Sequence, residues 1–325
     1  MAMIQQMDDL DRRIIGYLQI DGRAQFRAIA QVLDLPERTV SRRGQELLNS
    51  GAIRVAGLIE RSSMVRKDSL ILRIQCTPGT NTIVATALAA LPESIFVYLI
   101  TGKNECLTEL FATVEELNEI LLKFIPGIPG VKQITSFGCL RYFRTAAQWN
   151  PGILTYEELD QIKRDLVPRP IQEIELQQDD LMILNILANN GRATYEQIAR
   201  ACGLTEPTAR RKTAQLLNSG ALSIHAIVDP SSIGFPVECW IFVKCPPSKV
   251  SDVADAILKD NHVRYLASIT GEYQILFEVA MSSRKVLGTY LEEIANQIGN
   301  IQALSSHILI EPFKRSGQKV TSRTD

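Results

Sequence analysis

Residues 22–52, GRAQFRAIAQVLDLPERTVSRRGQELLNSGA, decide how this chain is read, because the stretch occurs twice. Residues 191–221, GRATYEQIARACGLTEPTARRKTAQLLNSGA, repeat it at an offset of 169 positions. Gly-Arg-Ala opens each copy and Asn-Ser-Gly-Ala closes it. Between them Ile29-Ala30, Leu35, Glu37, Thr39, Arg42 and Leu47-Leu48 return as Ile198-Ala199, Leu204, Glu206, Thr208, Arg211 and Leu216-Leu217. The function is therefore read from one unit outward.

Working back from Gly22, residues 8–20 place Leu10, Ile14, Ile15 and Leu18 at helical spacing, with acidic residues in the first turn where the helix dipole favours them. Asp21-Gly22 ends that helix. Residues 25–33 predict a second short helix burying Phe26, Ile29, Ala30 and Leu33, and Asp34-Leu35-Pro36 a tight break. Residues 37–49 predict a third helix, with Val40, Leu47 and Leu48 inward and Arg38, Thr39, Ser41, Arg42 and Arg43 mostly outward. Three short helices with a brief turn between the last two form a helix-turn-helix pattern.

After Gly51 the period changes. Residues 52–59 read as a strand. Strands over 70–76, 95–101, 106–114 and 131–143 then alternate with helices over 81–91 and 115–125, in the order β-α-β-β-α-β. That is a ferredoxin-like arrangement, whose helices cover one face of an antiparallel sheet and leave the other free to pair. The second copy runs through the same series, with strands over 237–245, 263–269, 274–280 and 301–311 and helices over 250–259 and 285–298. The fold class is α+β: a helix-turn-helix domain and a ferredoxin-like domain, the pair repeated twice. The expected domains are 1–60 and 61–145, then a linker over 146–176, then 177–229 and 230–315, with a disordered polar tail over 316–325. Within the linker, Thr155 caps a helix over 155–166 and Glu158 completes a capping box, while Val167-Pro168-Arg169-Pro170 is extended.

Composition limits the function. The 325 residues are 46% apolar and carry a net charge of −1, so packed cores are expected and any nucleic-acid partner must be met by a local basic face. Six scattered cysteines lack a C-x-x-C pair and the three histidines stand far apart, which predicts buried thiols, a reducing cytoplasmic setting, and neither metal nor cofactor. No apolar run predicts a secretory leader or a membrane span. There is no glycine-rich phosphate loop, nucleophile elbow or histidine pair at metal spacing.

The two domains together resemble the Lrp/AsnC (feast/famine) family of transcription regulators. The resemblance rests on Asp11-x-x-Ile14, Asp21-Gly22-Arg23-Ala24, Leu35, Arg42-Arg43, Gly51-Ala52-Ile53, Leu91-Pro92 and Gly127-Ile128-Pro129-Gly130-Val131. In the second copy it rests on Gly191-Arg192-Ala193, Leu204-Thr205-Glu206, Arg210-Arg211, Asp229-Pro230, Gly234-Phe235 and Thr270-Gly271-Glu272-Tyr273. Family members normally carry one such unit and assemble through the ferredoxin-like domain. A fused pair is therefore expected to form an intramolecular pseudo-dimer, and then homo-oligomers.

The resemblance implies double-stranded DNA as partner, met by Arg38, Thr39, Ser41, Arg42 and Arg43 in copy one and by Thr205, Thr208, Arg210, Arg211 and Lys212 in copy two. Arginine and lysine suit phosphates, and Thr39, Ser41 and Thr208 suit base edges; the plain alternative is a solvated charged face. Copy one departs from the family in Pro36, where a Ser or Thr cap is usual, and Gly44, where a branched apolar residue packs. Copy two keeps Thr205 as cap but has Pro207 in the first turn and Thr213 in place of the apolar residue. The resemblance also implies a small effector, often an amino acid, at Thr270, Gly271, Glu272 and Tyr273. The counterpart Thr101-Gly102 is followed by Lys103 and Asn104 and lacks the acidic partner. Siroheme decarboxylases share the architecture and supply the alternative function. They resemble this chain in fold but carry histidines and a Tyr-Asn-x-Trp-Phe-like strand, where this chain has Glu105-Cys106-Leu107-Thr108-Glu109 and Gln274-Ile275-Leu276-Phe277-Glu278. His225 and His262 are the histidines placed near such a cleft by the strand reading. A binding module without DNA recognition is the third class.

Overall fold

The structure is a computed structural model that describes residues 7–59, 67–165 and 175–320. Copy one runs α1 (Asp9–Ile20), α2 (Phe26–Leu33), α3 (Glu37–Asn49), β1 (Ile53–Ile59), β2 (Asp68–Cys76), α4 (Asn81–Ala90), β3 (Ser94–Ile100), β4 (Glu105–Ala112), α5 (Val114–Glu119) and β5 (Val131–Arg144). After α6 (Tyr156–Asp165), copy two follows as α7 (Gln178–Asn189), α8 (Tyr195–Cys202), α9 (Glu206–Asn218), β6 (Leu222–Val228), β7 (Val237–Lys244), α10 (Val250–Ile257), β8 (Val263–Ile269), β9 (Ile275–Met281), α11 (Arg284–Gln297), β10 (Ala303–Arg315) and β11 (Gln318–Lys319). These elements separate into two compact units that do not follow the copies. Of the described residues, one unit takes 7–59, 150–165 and 175–233, and the other 67–149 and 234–320.

In the first unit β1 and β6 pair antiparallel, with Ala56 opposite His225. Those two residues are related by the 169-residue repeat offset, so a local two-fold passes between them. The helices obey it: α1 of copy one packs on β6, and α7 of copy two packs on β1. The repeated Gly-Arg-Ala closes the pair. Arg23 donates to the carbonyls of Gly191 (2.7 Å) and Ala193 (2.8 Å), and Arg192 donates to those of Gly22 (3.0 Å) and Ala24 (3.1 Å). Each guanidinium also lies over an aromatic ring, Arg23 over Tyr195 and Arg192 over Phe26. The glycines are required because the backbones touch. The Gly22 amide donates to Ile224 O and the Gly191 amide to Val55 O, both at 2.8 Å. A Cβ on Gly22 would stand 2.9 Å from Ile224 O, and one on Gly191 3.0 Å from the Ala56 backbone.

The expected linker helix is present with its capping box, the Thr155 amide donating to Glu158 at 2.7 Å and the Glu158 amide to Thr155 Oγ1 at 3.3 Å. It belongs to the first unit: Leu154 and Ile162 are buried, Leu154 sits against Gly16 of α1, and Glu158 pairs with Arg13. The expected extended stretch 167–170 lies outside the described residues.

In the second unit each copy contributes four strands, and the final strand of each copy divides between two partners. The first half of β5 pairs with β2 of its own copy, and residues from Cys139 on pair with β8 of the other. Likewise β10 pairs with β7 through Ile308 and with β3 from Leu309. The order β10-β3-β4-β2-β5-β8-β9-β7, returning to β10, is a closed ring in which each of these eight described strands has two neighbours. The alternation of each strand sends one set of side chains outward beneath the helices. There, two clusters pack around Leu72, Val84, Leu88 and Leu110 and around Ile241, Val253, Leu266 and Phe277. The other set fills the ring, where Phe96, Tyr98, Phe137, Trp240, Phe242 and Tyr265 meet.

Two expectations are corrected here. The helix expected over 115–125 is α-helical only to Glu119, then continues as a π-helical turn over Ile120–Phe124 and a 3-10 turn over Ile125–Gly127. The polar tail does not begin at residue 316. Lys314 and Arg315 are buried, and β11 folds back on them. Lys314 bonds to Leu91 O and Ser94 Oγ, while Arg315 pairs with Glu238. Burial lowers the Lys314 pKa to about 8. Residues 321–325 lie outside the described residues.

Two outcomes test this arrangement. Arg23→Ala and Arg192→Ala should each lower unfolding stability by about 1.5–3 kcal/mol in denaturant titrations, because each strands two carbonyls that a charged donor satisfies. His225 donates Nδ1–H to Gln19 O at 2.7 Å, and burial holds its pKa below the ordinary imidazole value. The unfolded chain then binds the extra proton, so stability is complete above about pH 6.5 and declines as pH falls below it. Melting curves of His225→Gln should show that part of the decline removed.

Candidate functional site

The two proposed reading helices are built on the same frame but expose different residues. On α3, Arg38 and Arg42 are exposed and Thr39 and Ser41 half-buried; Arg42 bonds Glu46 at 2.8 Å. Arg43 turns the other way. Its Nε donates to Asp11 Oδ1 at 2.9 Å, and its Nη2 to Asp11 Oδ2 at 2.7 Å and to Asp8. On α9 the counterpart Lys212 is buried and donates to Asp180 at 3.1 Å and Gln177 at 3.4 Å. Arg43 and Lys212, expected as DNA contacts, therefore tie each reading helix to the first turn of α1 or α7. The helical period carried that signal: residues 40, 43, 44 and 47 share one face, and Val40, Gly44 and Leu47 are its buried members.

Thr205 occupies the cap position of α9, but its side chain makes no capping bond; it meets the Thr208 hydroxyl at 2.9 Å. Pro36 likewise caps α3 without a side-chain bond. Arg210 is exposed, lies over the Tyr195 ring and bonds Glu206 at 3.2 Å; Arg211 is exposed and bonds Gln215 at 3.2 Å. Gly44 has a packing role. A Cβ there would sit 2.2 Å from Phe26 Cε1, so the glycine admits the ring on which Arg192 rests. In copy two Thr213 stands at that position, fully buried.

At the expected effector turns both threonines are engaged in joining the copies. Thr270 Oγ1 accepts from the Gly138 amide and Thr101 Oγ1 from the Ile308 amide, each at 2.8 Å. Gly102 and Gly271 both have positive φ, 139° and 104°. Glu272 is exposed, and Tyr273 packs on Phe242 at 5.5 Å.

The environments beneath the two turns differ. Below Gly102 of copy one lies a charged group that sequence reading missed. Arg73 donates to both Glu105 oxygens (3.0 and 2.8 Å), His307 Nδ1 donates to Thr101 O at 2.8 Å, and His307 Nε2 meets Ser305 at 2.9 Å. Below Gly271 of copy two the counterparts of Arg73 and Glu105 are Phe242 and Gln274, and Phe137 lies 3.1 Å from where a Cβ on Gly271 would be. Copy one thus has its acid and base inside the ring, and copy two an apolar floor.

Further inside, Arg264 bridges Glu238 (2.8 Å) and Glu278 (2.9 Å), and Arg315 pairs with Glu238. Burial raises Glu278 to about 7, against the pull of Arg264. Across the two-fold, Glu109 accepts from Ser69 at 2.7 Å and from Tyr142. Of the histidines expected near a cleft, His225 sits in the helix-turn-helix unit, and His262 bonds Asp260 at 2.7 Å at half-exposure. His307 is the one inside the ring. Among the described residues no group of three His, Cys, Asp or Glu is placed to hold a metal ion, and no helix is long and apolar enough to cross a membrane.

Comparison with known proteins follows this division. The AsnC-type helix-turn-helix domain matches residues 7–48 and again 177–217, and the Lrp/AsnC ligand binding domain matches residues 238–318. An HTH-type transcriptional regulator of Pyrococcus furiosus is 30% identical over 131 residues, 40% of this chain and 88% of its own length. The chain belongs to the Lrp/AsnC family. HTH-type transcriptional regulator Ptr1 of Methanocaldococcus jannaschii, 28% identical over 136 residues, is likewise covered over 92% of its length by 42% of this chain. This Lrp/AsnC chain therefore carries two family units in tandem. The doubled architecture has a counterpart in the siroheme decarboxylase NirDL, whose crystal structure matches 97% of this chain and 95% of its own with a TM-score of 0.64 at 15% identity, a likeness of fold.

The inward set of this Lrp/AsnC protein's basic residues can be separated from the outward set by stability. Arg43→Ala should cost about 1–2 kcal/mol of unfolding free energy, since it leaves Asp11 without its charged donor. Arg42→Ala, exposed, should stay within about 0.5 kcal/mol of the wild type.

Proposed function

We propose that this chain is a DNA-binding transcriptional regulator that acts in the cytoplasm, reads duplex DNA with α3 and α9, and adjusts its binding to an amino acid or related small metabolite. The observation that carries the reading is the pair of exposed basic helix faces held together by the Gly-Arg-Ala clasp. The same helices in the family's relatives named above belong to HTH-type transcriptional regulators. Arg38, Arg42, Arg210 and Arg211 suit phosphates and guanine edges, and Thr39, Ser41, Thr205 and Thr208 suit base edges and sugar-phosphate oxygens. A pair of such helices fits two half-sites separated by whole turns of the double helix. Exposed charge favours α9. Arg210 and Arg211 face one acid, Glu206, whereas Arg38 and Arg42 on α3 face two, Glu37 and Glu46.

For the effector, the exposed Gly271-Glu272-Tyr273 turn offers a backbone approach for a carboxylate and an acid for an α-ammonium. Thr270 and Thr101 hold the turns to the neighbouring strands, and Gly102 covers the Arg73–Glu105 pair. Homo-oligomers built through the ferredoxin-like domains accord with family membership. A second reading, a tetrapyrrole enzyme, draws on the whole-chain likeness of fold and on the ionisable groups inside the ring, Glu278 and His307 among them. Incubation with siroheme followed by absorbance and mass analysis separates the two, since a decarboxylated product would replace the regulator reading.

The DNA reading predicts fluorescence-anisotropy titrations with the chain's own promoter in which affinity falls about 10³-fold or more between 50 and 200 mM salt. The quadruple change Arg38→Ala, Arg42→Ala, Arg210→Ala and Arg211→Ala should abolish binding with the fold intact; unchanged binding would overturn the assignment. In the same assay Glu272→Ala should weaken an amino-acid response more than Lys103→Ala, and equal effects would remove the effector site from the copy-two turn.

A further inference from the structure

We infer that this protein's DNA target is non-palindromic: two unlike half-sites in fixed order, with Arg210 demanding a guanine in the α9 half that the α3 half does not require. The inference rests on the DNA-reading function proposed above. A homodimer of identical units presents one helix face twice. Here the faces belong to different sequences and cannot exchange, because Arg23, Arg192 and the β1–β6 ribbon lock one copy of each into a single unit.

The two faces differ where a reading helix meets base edges. Position by position under the repeat offset, exposed Arg38 on α3 is replaced by Pro207 on α9, half-buried Ser41 by exposed Arg210, and exposed Gln45 by Ala214. The conserved-in-both Arg42 and Arg211 also differ in setting: Arg42 bonds a carboxylate, Glu46, and Arg211 a neutral amide, Gln215. Arg211 thus keeps more of its charge for a phosphate. Arg210 is held at the surface by the Tyr195 ring, 4.8 Å from its guanidinium, and by Glu206. A supported guanidinium in the first half of the helix has the planar double-donor geometry that fits guanine O6 and N7. Ser41, with one short hydroxyl, cannot make that contact. Each clasp arginine lies over one of the two counterpart rings, Arg23 over Tyr195 and Arg192 over Phe26, and Tyr195 alone carries a second guanidinium, because its copy has Arg210 where copy one has Ser41. A single orientation of the first unit on DNA follows.

The test is selection from a random duplex library with the full chain, followed by affinity measurements on the enriched site. The expected consensus has two unlike halves, with a guanine confined to one of them. Arg210→Ser should relax that position alone and lose about tenfold in affinity. Ser41→Arg should add a guanine preference to the opposite half. Melting temperatures of both variants verify folding. A palindromic consensus from the wild type, or Arg210→Ser changing both halves equally, overturns the inference while leaving DNA reading in place. A library with no enriched sequence overturns both.

Discussion

The structure depends on two guanidinium groups. Arg23 and Arg192 each reach across to two carbonyl oxygens at the start of the other copy's second helix. Charged donors on buried carbonyls are worth more than neutral ones, and their geometry is planar and directional. Burial pulls both guanidinium pKa values below the ordinary arginine range, yet arginine keeps its proton at any accessible pH. The clasp is therefore a permanent charge pattern rather than a titrating one. The neighbouring glycines complete it, since a side chain at Gly22 or Gly191 would push the ribbons apart. Gly-Arg-Ala is repeated because each copy is simultaneously donor and acceptor.

The second unit solves pairing by different means. The strands close into a ring, and the long strands β5 and β10 pair with their own copy in their first half and, through bulged ladders, with the other copy in their second. Inside such a ring, unpaired charge would be costly, so the buried ions occur in sets: Arg73 with Glu105, and Arg264 and Arg315 with Glu238 and Glu278. The sets are unequal between copies. Glu278 has two arginines near it, while its repeat counterpart Glu109 has Ser69 and Tyr142. A fused chain is free to diverge in this way, because each position is encoded once per copy and only the pair must remain neutral and satisfied.

What could be read from the sequence was local. The order of helices and strands, the repeat and the Thr155–Glu158 capping box follow from periodicity and from short-range hydrogen-bond rules, and the structure contains them. What could not be read was long-range partnership. His307 looks isolated in the sequence, and its main-chain partner Thr101 lies 206 positions away. Lys314 and Arg315 stand at the very end of the expected last domain, beside the polar tail, but Ser94 and Glu238 receive them on other strands. Charge alone was misread as exposure. Arg43 and Lys212 follow the buried stripe of their helices, and the acids that receive them, Asp11 and Asp180, lie 32 positions earlier.

That misreading bears on how a basic helix should be weighed. Of the five residues named on each reading helix, one cation is consumed in holding the helix to its scaffold. The remaining exposed charge is small and differs in sign balance between the copies: Arg38 and Arg42 against Glu37 and Glu46 on α3, Arg210 and Arg211 against Glu206 on α9. A net charge near zero over the whole chain is then no obstacle to DNA binding, because the field that matters is set by a few side chains on one face. It also means that neither helix holds DNA through bulk charge. On the proposed DNA reading, the discriminating contacts come from how each arginine is supported: Tyr195 carries Arg210 as well as Arg23, whereas Phe26 carries Arg192 alone.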